Sequence, residues 1–260
     1  MLEGQPMKNL KSLVFGTFLV LFFLGCSKSD SNMGSGNSGG STGEGGSMAA
    51  MTIVGNNLYR IAGGNTIEVY DISGDSTVTF VRNVNPGTGL ETLFPYKNYL
   101  FVGTNMGMHI LDISNGSNPV YKSTYEHVVS CDPVVVQGNY AYVTLRNGTL
   151  CNRGATQLEI IDISNVEAPY LLKTIPMLQP HGLDIDGKNL IVTEGNNGFK
   201  WFDASNPINP QQILFEKNVA GFDIISRGSE FILIGADGLF QYEYGNNSLT
   251  LLSKIPVSKP

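Results

Sequence analysis

From about residue 49 onward, apolar residues fall in short runs separated by Gly, Asn, Asp, Ser and Pro, as in Val134-Val135-Val136, Ile160-Ile161 and Phe231-Ile232-Leu233-Ile234. Strict alternation would mark strands with one wet face; near-continuous runs of this length belong to strands covered on both faces. The runs recur with a period. Asp-Ile-Ser closes one at Asp71, Asp112 and Asp162, and Asp203-Ala-Ser205 closes a fourth, at intervals of 41, 50 and 41 residues. A further step of 41 falls on Tyr244, where the tripeptide has decayed to Tyr-Gly-Asn between surviving strands, which makes five units.

Each unit holds four runs; in the third they cover 133–136, 140–144, 158–163 and 170–175. A period of about 40 residues with four strands per period predicts the blade of a β-propeller. Blades stacked around an axis cover each other's faces, which is why both sides of each strand can be apolar. The Asp at the strand end can accept a backbone N–H of the following turn, and the Ser two residues on can do the same more weakly. Seven residues after the Asp comes proline in three units, Pro119, Pro169 and Pro210. Proline cannot donate to a ladder, so these positions mark the start of an outer, edge strand.

The segments IEVYDIS, MHILDIS, LEIIDIS and FKWFDAS resemble the LVIVD-repeat family of bacterial surface or secreted propellers. The resemblance covers roughly residues 49 to 257. It implies the fold and no common catalytic activity. The fold class expected is therefore all-β: a five-bladed propeller of four-stranded antiparallel blades, at approximately 48–86, 87–129, 130–178, 179–219 and 220–257. Blade one opens with 48–54 as its inner strand, and blade five closes with 249–255 as its outer one. No strand is left over, so the ring is expected to close by face packing between blades five and one, a weak seam.

The first 25 residues read as a targeting segment: Lys8 and Lys11 precede an apolar core over 13–24, too short to span a bilayer. Phe23-Leu24-Gly25-Cys26 resembles a lipobox, which implies acylation of Cys26 and a lipid-anchored lipoprotein on the outer membrane, facing the periplasm or exposed at the cell surface. Residues 26–47 are Ser/Gly-rich and read as a disordered tether. Removing 1–25 takes away Lys8, Lys11 and Glu3, so the formal charge of −6 becomes −7. An acidic chain with no basic stripe argues against a nucleic-acid partner.

Unit three is longer by nine residues, inserted within 145–157, where Cys151 sits; Cys131 lies just ahead of the same blade's first strand. Both belong to the top face, where inner strands begin. In an oxidising compartment they are expected to form a disulfide, two free thiols being the alternative.

The turn alignment places Ala50, Glu91, Asp132, His181 and Phe222 at equivalent positions, at the top mouth of the central channel. Asp223 follows one position later, and Arg146 and Glu194 end second strands on the same side. Glu91, Asp132, His181, Asp223 and Arg146 are thus the candidate ligand-binding residues, although a solvated rim needs no function to be polar. A carboxylate pair with a histidine could hold a cation or serve acid/base chemistry. No nucleophile elbow, P-loop or zinc-type cysteine pair is present, and no cofactor or resident metal is expected. The reading is a non-catalytic binding or scaffolding module with a protein or glycan partner. The alternatives are a glycan-processing enzyme using Glu91 and Asp132, and a metal or small-ligand sensor using Asp132 and His181.

Overall fold

The computed structural model describes residues 46–74, 76–127, 133–147 and 155–257. The targeting segment, Cys26 and the tether up to residue 45 lie outside the described residues. So do Asp132, Cys131 and Cys151, and with them the expected disulfide. Within the described residues there are twenty strands in five four-stranded antiparallel sheets, each in simple sequential order. The blades span 51–84, 90–126, 134–176, 183–216 and 223–256. The chain is an all-β, five-bladed propeller, and blade three is built from Val134–Gln137, Tyr140–Leu145, Gln157–Asp162 and Tyr170–Pro176.

The repeated tripeptide does the local work its chemistry suggests. In four blades the Asp Oδ1 accepts the N–H of the Ser two residues on: Asp71 from Ser73 at 2.7 Å, and Asp112, Asp162 and Asp203 from Ser114, Ser164 and Ser205 at 2.8 Å. The Ser side chain together with its N–H holds all four carboxyls below the usual carboxylate range, the side chain contributing most at Asp71, Asp162 and Asp203 and the N–H at Asp112. Pro119, Pro169 and Pro210 each stand immediately before an outer strand, where no ladder donor is needed. In blade five the tripeptide's position belongs to Glu243, which pairs with Glu230 as Asp162 pairs with Tyr140, so the last interval is one residue shorter than the expected step to Tyr244. Each blade breaks register between its third and outer strands two residues before that position, at Val69, Ile110, Ile160, Trp201 and Gln241. A bulge there adds twist to the outer strand, as a wedge-shaped blade requires.

Four of the five blade-to-blade junctions carry a buried apolar cluster. Blades one and two bury Tyr59, Ile67 and Val69 against Leu93, Leu100 and Val102, and blades two and three bury Phe101, Met108 and Ile110 against Val134, Val143 and Ile161. Blades three and four pack Tyr142, Leu158 and Ile160 on Leu190, Val192 and Phe202; blades four and five pack Ile191, Phe199 and Trp201 on Phe231, Tyr242 and Tyr244.

The expected closure of blade five on blade one is the exception. Ile232 occupies the position of Tyr59, Phe101, Tyr142 and Ile191, yet it is 44% exposed while those four are 0 to 1% exposed. Ile234, Leu239 and Ile255 extend an exposed apolar stripe across the same face. Blade one's opposing face carries Arg60 where the other blades have Val102, Val143, Val192 and Leu233. Arg60 donates to Glu68 Oε2 at 2.5 and 2.9 Å, and the Tyr70 hydroxyl donates to the same oxygen at 2.7 Å. Burying that ion pair and its phenol partner under isoleucines would cost more desolvation than the packing returns. The two faces thus differ in kind, charged and polar on blade one and apolar on blade five.

Candidate functional site

Of the five residues expected at the top mouth, three come together. Glu91, Arg146 and His181 line one pocket of about 190 Å³ with Met48, Thr92, Pro133 and Pro180. Glu91 is the bulged residue of blade two's inner strand, between the Leu90–Thr104 and Thr92–Gly103 pairs, Arg146 follows the second strand of blade three, and His181 leads into blade four, so three successive blades contribute. Asp132 lies outside the described residues, although its neighbour Pro133 forms part of the wall. The Glu91–Asp132 and Asp132–His181 pairs of the two alternative readings fall outside with it.

His181 is held firmly. Its N–H donates to the Thr193 carbonyl at 2.8 Å, its own carbonyl accepts the Thr144 hydroxyl at 2.6 Å, and its ring meets Phe222 edge-on at 5.3 Å. The Arg146 guanidinium rests against the imidazole, Nη1 2.7 Å from Nε2. Burial, and then the adjacent guanidinium charge, push the imidazole down to about 4. His181 is therefore neutral at physiological pH. Burial also lowers Arg146, against the opposing pull of Glu91. One pocket thus brings together a guanidinium and a carboxylate close enough to act on each other, a neutral imidazole and the Thr92 side chain.

Asp223 belongs elsewhere. Its Oδ1 accepts the Ser47 hydroxyl at 3.3 Å, so it secures the chain leading into blade one and does not line the pocket. Burial raises its carboxyl to about 6. Its neighbour in the channel, Asp184, escaped the sequence reading. Asp184 accepts the N–H groups of Ser226 at 2.5 Å and Ile185 at 2.8 Å, linking the inner strands of blades four and five, and burial again raises it to about 6. Only the strict apolar-polar alternation Leu183-Asp184-Ile185-Asp186, where blade three's inner strand reads Val134-Val135-Val136, signalled it.

Glu194, expected at the rim, is fully buried in an ion pair with Lys200 Nζ at 2.6 Å. It also accepts the N–H groups of Leu178 and Gln179, at 3.0 and 2.6 Å, and so fixes the segment that delivers His181. The other histidines serve packing: His109 Nδ1 lies 2.6 Å from the Thr124 hydroxyl, and the His127 ring tilts against Tyr125.

Both raised carboxyls make stability depend on pH with a definite sign. A carboxyl near 6 in the folded protein and near 4 in the unfolded chain binds more protons when folded, so its stabilisation is complete below pH 4 and is lost as pH rises through 6. Asp184→Asn, which keeps an acceptor for the Ser226 N–H, is expected to raise stability at pH 7 by about 1–2 kcal/mol and to leave it nearly unchanged at pH 4. Urea denaturation at the two pH values checks this; an equal shift at both would show that Asp184 ionises normally.

With this geometry the molecule is a repeat propeller with a polar pocket at one channel mouth. The LVIVD repeat matches residues 96–127 and 130–175, the end of the first strand of blade two through most of blade three. No curated protein matches the chain. Solved propellers share its fold at low identity. The designed Ika8 protein is 14% identical over 79% of this chain and 60% of its own, with a TM-score of 0.58. A putative 6-phosphogluconolactonase from Bacteroides fragilis is 14% identical over 81% of this chain and 70% of its own, at 0.61. The periplasmic gluconolactonase PpgL of Pseudomonas aeruginosa is 13% identical over 78% and 68%, at 0.60. The chain thus spans three-fifths of Ika8 and little more than two-thirds of the other two.

Proposed function

We propose that this chain is an exported, lipid-anchored binding module that takes a small polyhydroxylated ligand, such as a sugar or sugar acid, in the Glu91–Arg146–His181 pocket. The observation that carries the reading is that a guanidinium, a carboxylate and a neutral imidazole line one pocket together with Met48, Pro133 and Pro180. Hydroxyl groups donate and accept at once, and apolar walls suit the C–H faces of a sugar ring. Two neighbours in fold are named as gluconolactonases, which at their low identity supports a sugar-type ligand only by analogy. A non-catalytic role is favoured because an imidazole near 4 is a weak base at neutral pH and carries no proton to give. The lipobox-like Phe23-Leu24-Gly25-Cys26 supports anchoring at Cys26, with residues 26–45 as the spacer.

The test is calorimetric titration of the full chain with a panel of neutral monosaccharides and aldonic acids. One ligand class is expected to bind, and Arg146→Met to weaken it at least tenfold with the melting temperature held within a few degrees. Saturable binding untouched by Arg146→Met, or no binding across the panel, overturns the reading. Incorporation of labelled palmitate, abolished by Cys26→Ser, checks the anchor.

A further inference from the structure

The three residues that lead into blade one do not lie on blade one. Ser47 is 1% exposed, and its hydroxyl accepts the N–H of Leu183, the first residue of blade four's inner strand, at 2.8 Å while donating to Asp223 of blade five. The Met48 N–H also donates to the Asp223 carboxyl. Gly46 approaches so closely that a Cβ there would stand 2.1 Å from Asp223 Oδ2, and one on Gly182, from the other side, 2.2 Å from Oδ1. Directly afterwards the chain is tied to the opposite part of the arc: Ala49 accepts the Leu93 N–H at 2.8 Å, and Ala50 accepts the Ile61 N–H at 2.9 Å. A span of three residues therefore joins blades one and two to blades four and five across the channel mouth.

Those are the two ends of the arc whose facing sides, Ile232 and Leu239 on one and Arg60 and Glu68 on the other, are not packed into a buried cluster. We infer that Gly46–Met48 is a clasp that holds the arc's ends at their spacing in place of a fifth face-to-face junction, and that its release lets blade five swing away from blade one and opens the channel mouth. Among the described residues, this is the segment that engages Asp223 and Leu183 and then continues into blade one. Met48 is also a wall of the Glu91–Arg146–His181 pocket, so an opened clasp removes part of that pocket. The clasp itself stands on geometry independent of any ligand.

Full-length protein carrying nitroxide labels on p-acetylphenylalanine at the exposed positions Thr79 and Thr250 reports the blade-one to blade-five distance and leaves the cysteines untouched. Gly46→Val drives a side chain into the Asp223 carboxyl, and Ser47→Ala removes only a hydroxyl; the milder variant guards against loss of folding. Both are expected to broaden and lengthen the distance distribution. Amide exchange at Leu183 and Ile61 should accelerate at least tenfold, while exchange at Val102 and Val143 stays at the wild-type rate. If exchange at Leu183 accelerates and the distance distribution does not change, the segment is a local plug and the clasp is overturned. If neither changes in either variant, the segment bears no load and the inference fails equally.

Discussion

Truncating Tyr142 to alanine is expected to lower the unfolding free energy by about 3–5 kcal/mol, and truncating Ile232 by less than about 1 kcal/mol. The two residues hold the same place, two along the second strand of their blades, opposite Ile160 and Gln241 respectively. Tyr142 is buried between blades three and four, and its hydroxyl donates to the Pro207 carbonyl at 3.3 Å. Burial pushes that phenol up to about 12. Its removal leaves a cavity lined by Leu158, Leu190 and Val192 that a rigid stack of sheets cannot collapse. Ile232 has solvent where Tyr142 has a neighbouring blade, so alanine there forfeits little apolar burial. Urea denaturation of both variants decides the matter. A loss at Ile232 comparable to that at Tyr142 would mean that blades five and one are packed in solution.

The failure of the closed-ring expectation has a specific cause. Phe231-Ile232-Leu233-Ile234 reads as a strand apolar on both faces, and it is; but only Phe231 and Leu233 face a blade. Periodicity reports which side chains could be buried and is silent on whether anything covers them. The sign of an open end was present in Arg60 and Gln241, polar residues at positions where other blades carry aliphatic or aromatic ones, but it emerges only once strand registers are known. Strand limits and blade order, by contrast, followed from the spacing of Asp71, Asp112, Asp162 and Asp203, because each Asp caps its own turn through a bond to a residue two positions away. Local chemistry is legible locally.

The same distinction sorts the candidate site. Glu91, Arg146 and His181 converge because they sit at defined ends of strands whose order the repeat establishes. Asp223 lies one residue later than the equivalent of His181, and since successive side chains on an extended chain point to opposite sides, it faces the channel and meets Ser47. That contact joins residues 176 apart in sequence, and no repeat contains it.

Lys200→Met is expected to cost about 3–5 kcal/mol, because it strands the Glu194 carboxylate inside the protein with its cation gone. Glu194 has no exposed side-chain surface and Lys200 almost none, and the Lys200 ammonium also lies over the Phe215 ring at 5.2 Å and 3.8 Å from Met177 Sδ. A methionine fills most of that apolar channel, so the loss reports charge and not volume. The double variant Glu194→Gln with Lys200→Met is expected to recover part of the loss, since a neutral amide can still accept the Leu178 and Gln179 N–H groups; denaturation of the four species gives the coupling. The carboxylate's second duty separates this pair from an ordinary buried bridge. The residues it holds stand just before Pro180 and His181, so a buried carboxylate left without its lysine disturbs the segment it anchors. Lys200→Met alone should therefore weaken ligand binding in the pocket while the double variant restores it. Equal binding by both would place the load of positioning His181 on Thr144 and Thr193, which hold its backbone from the neighbouring strands.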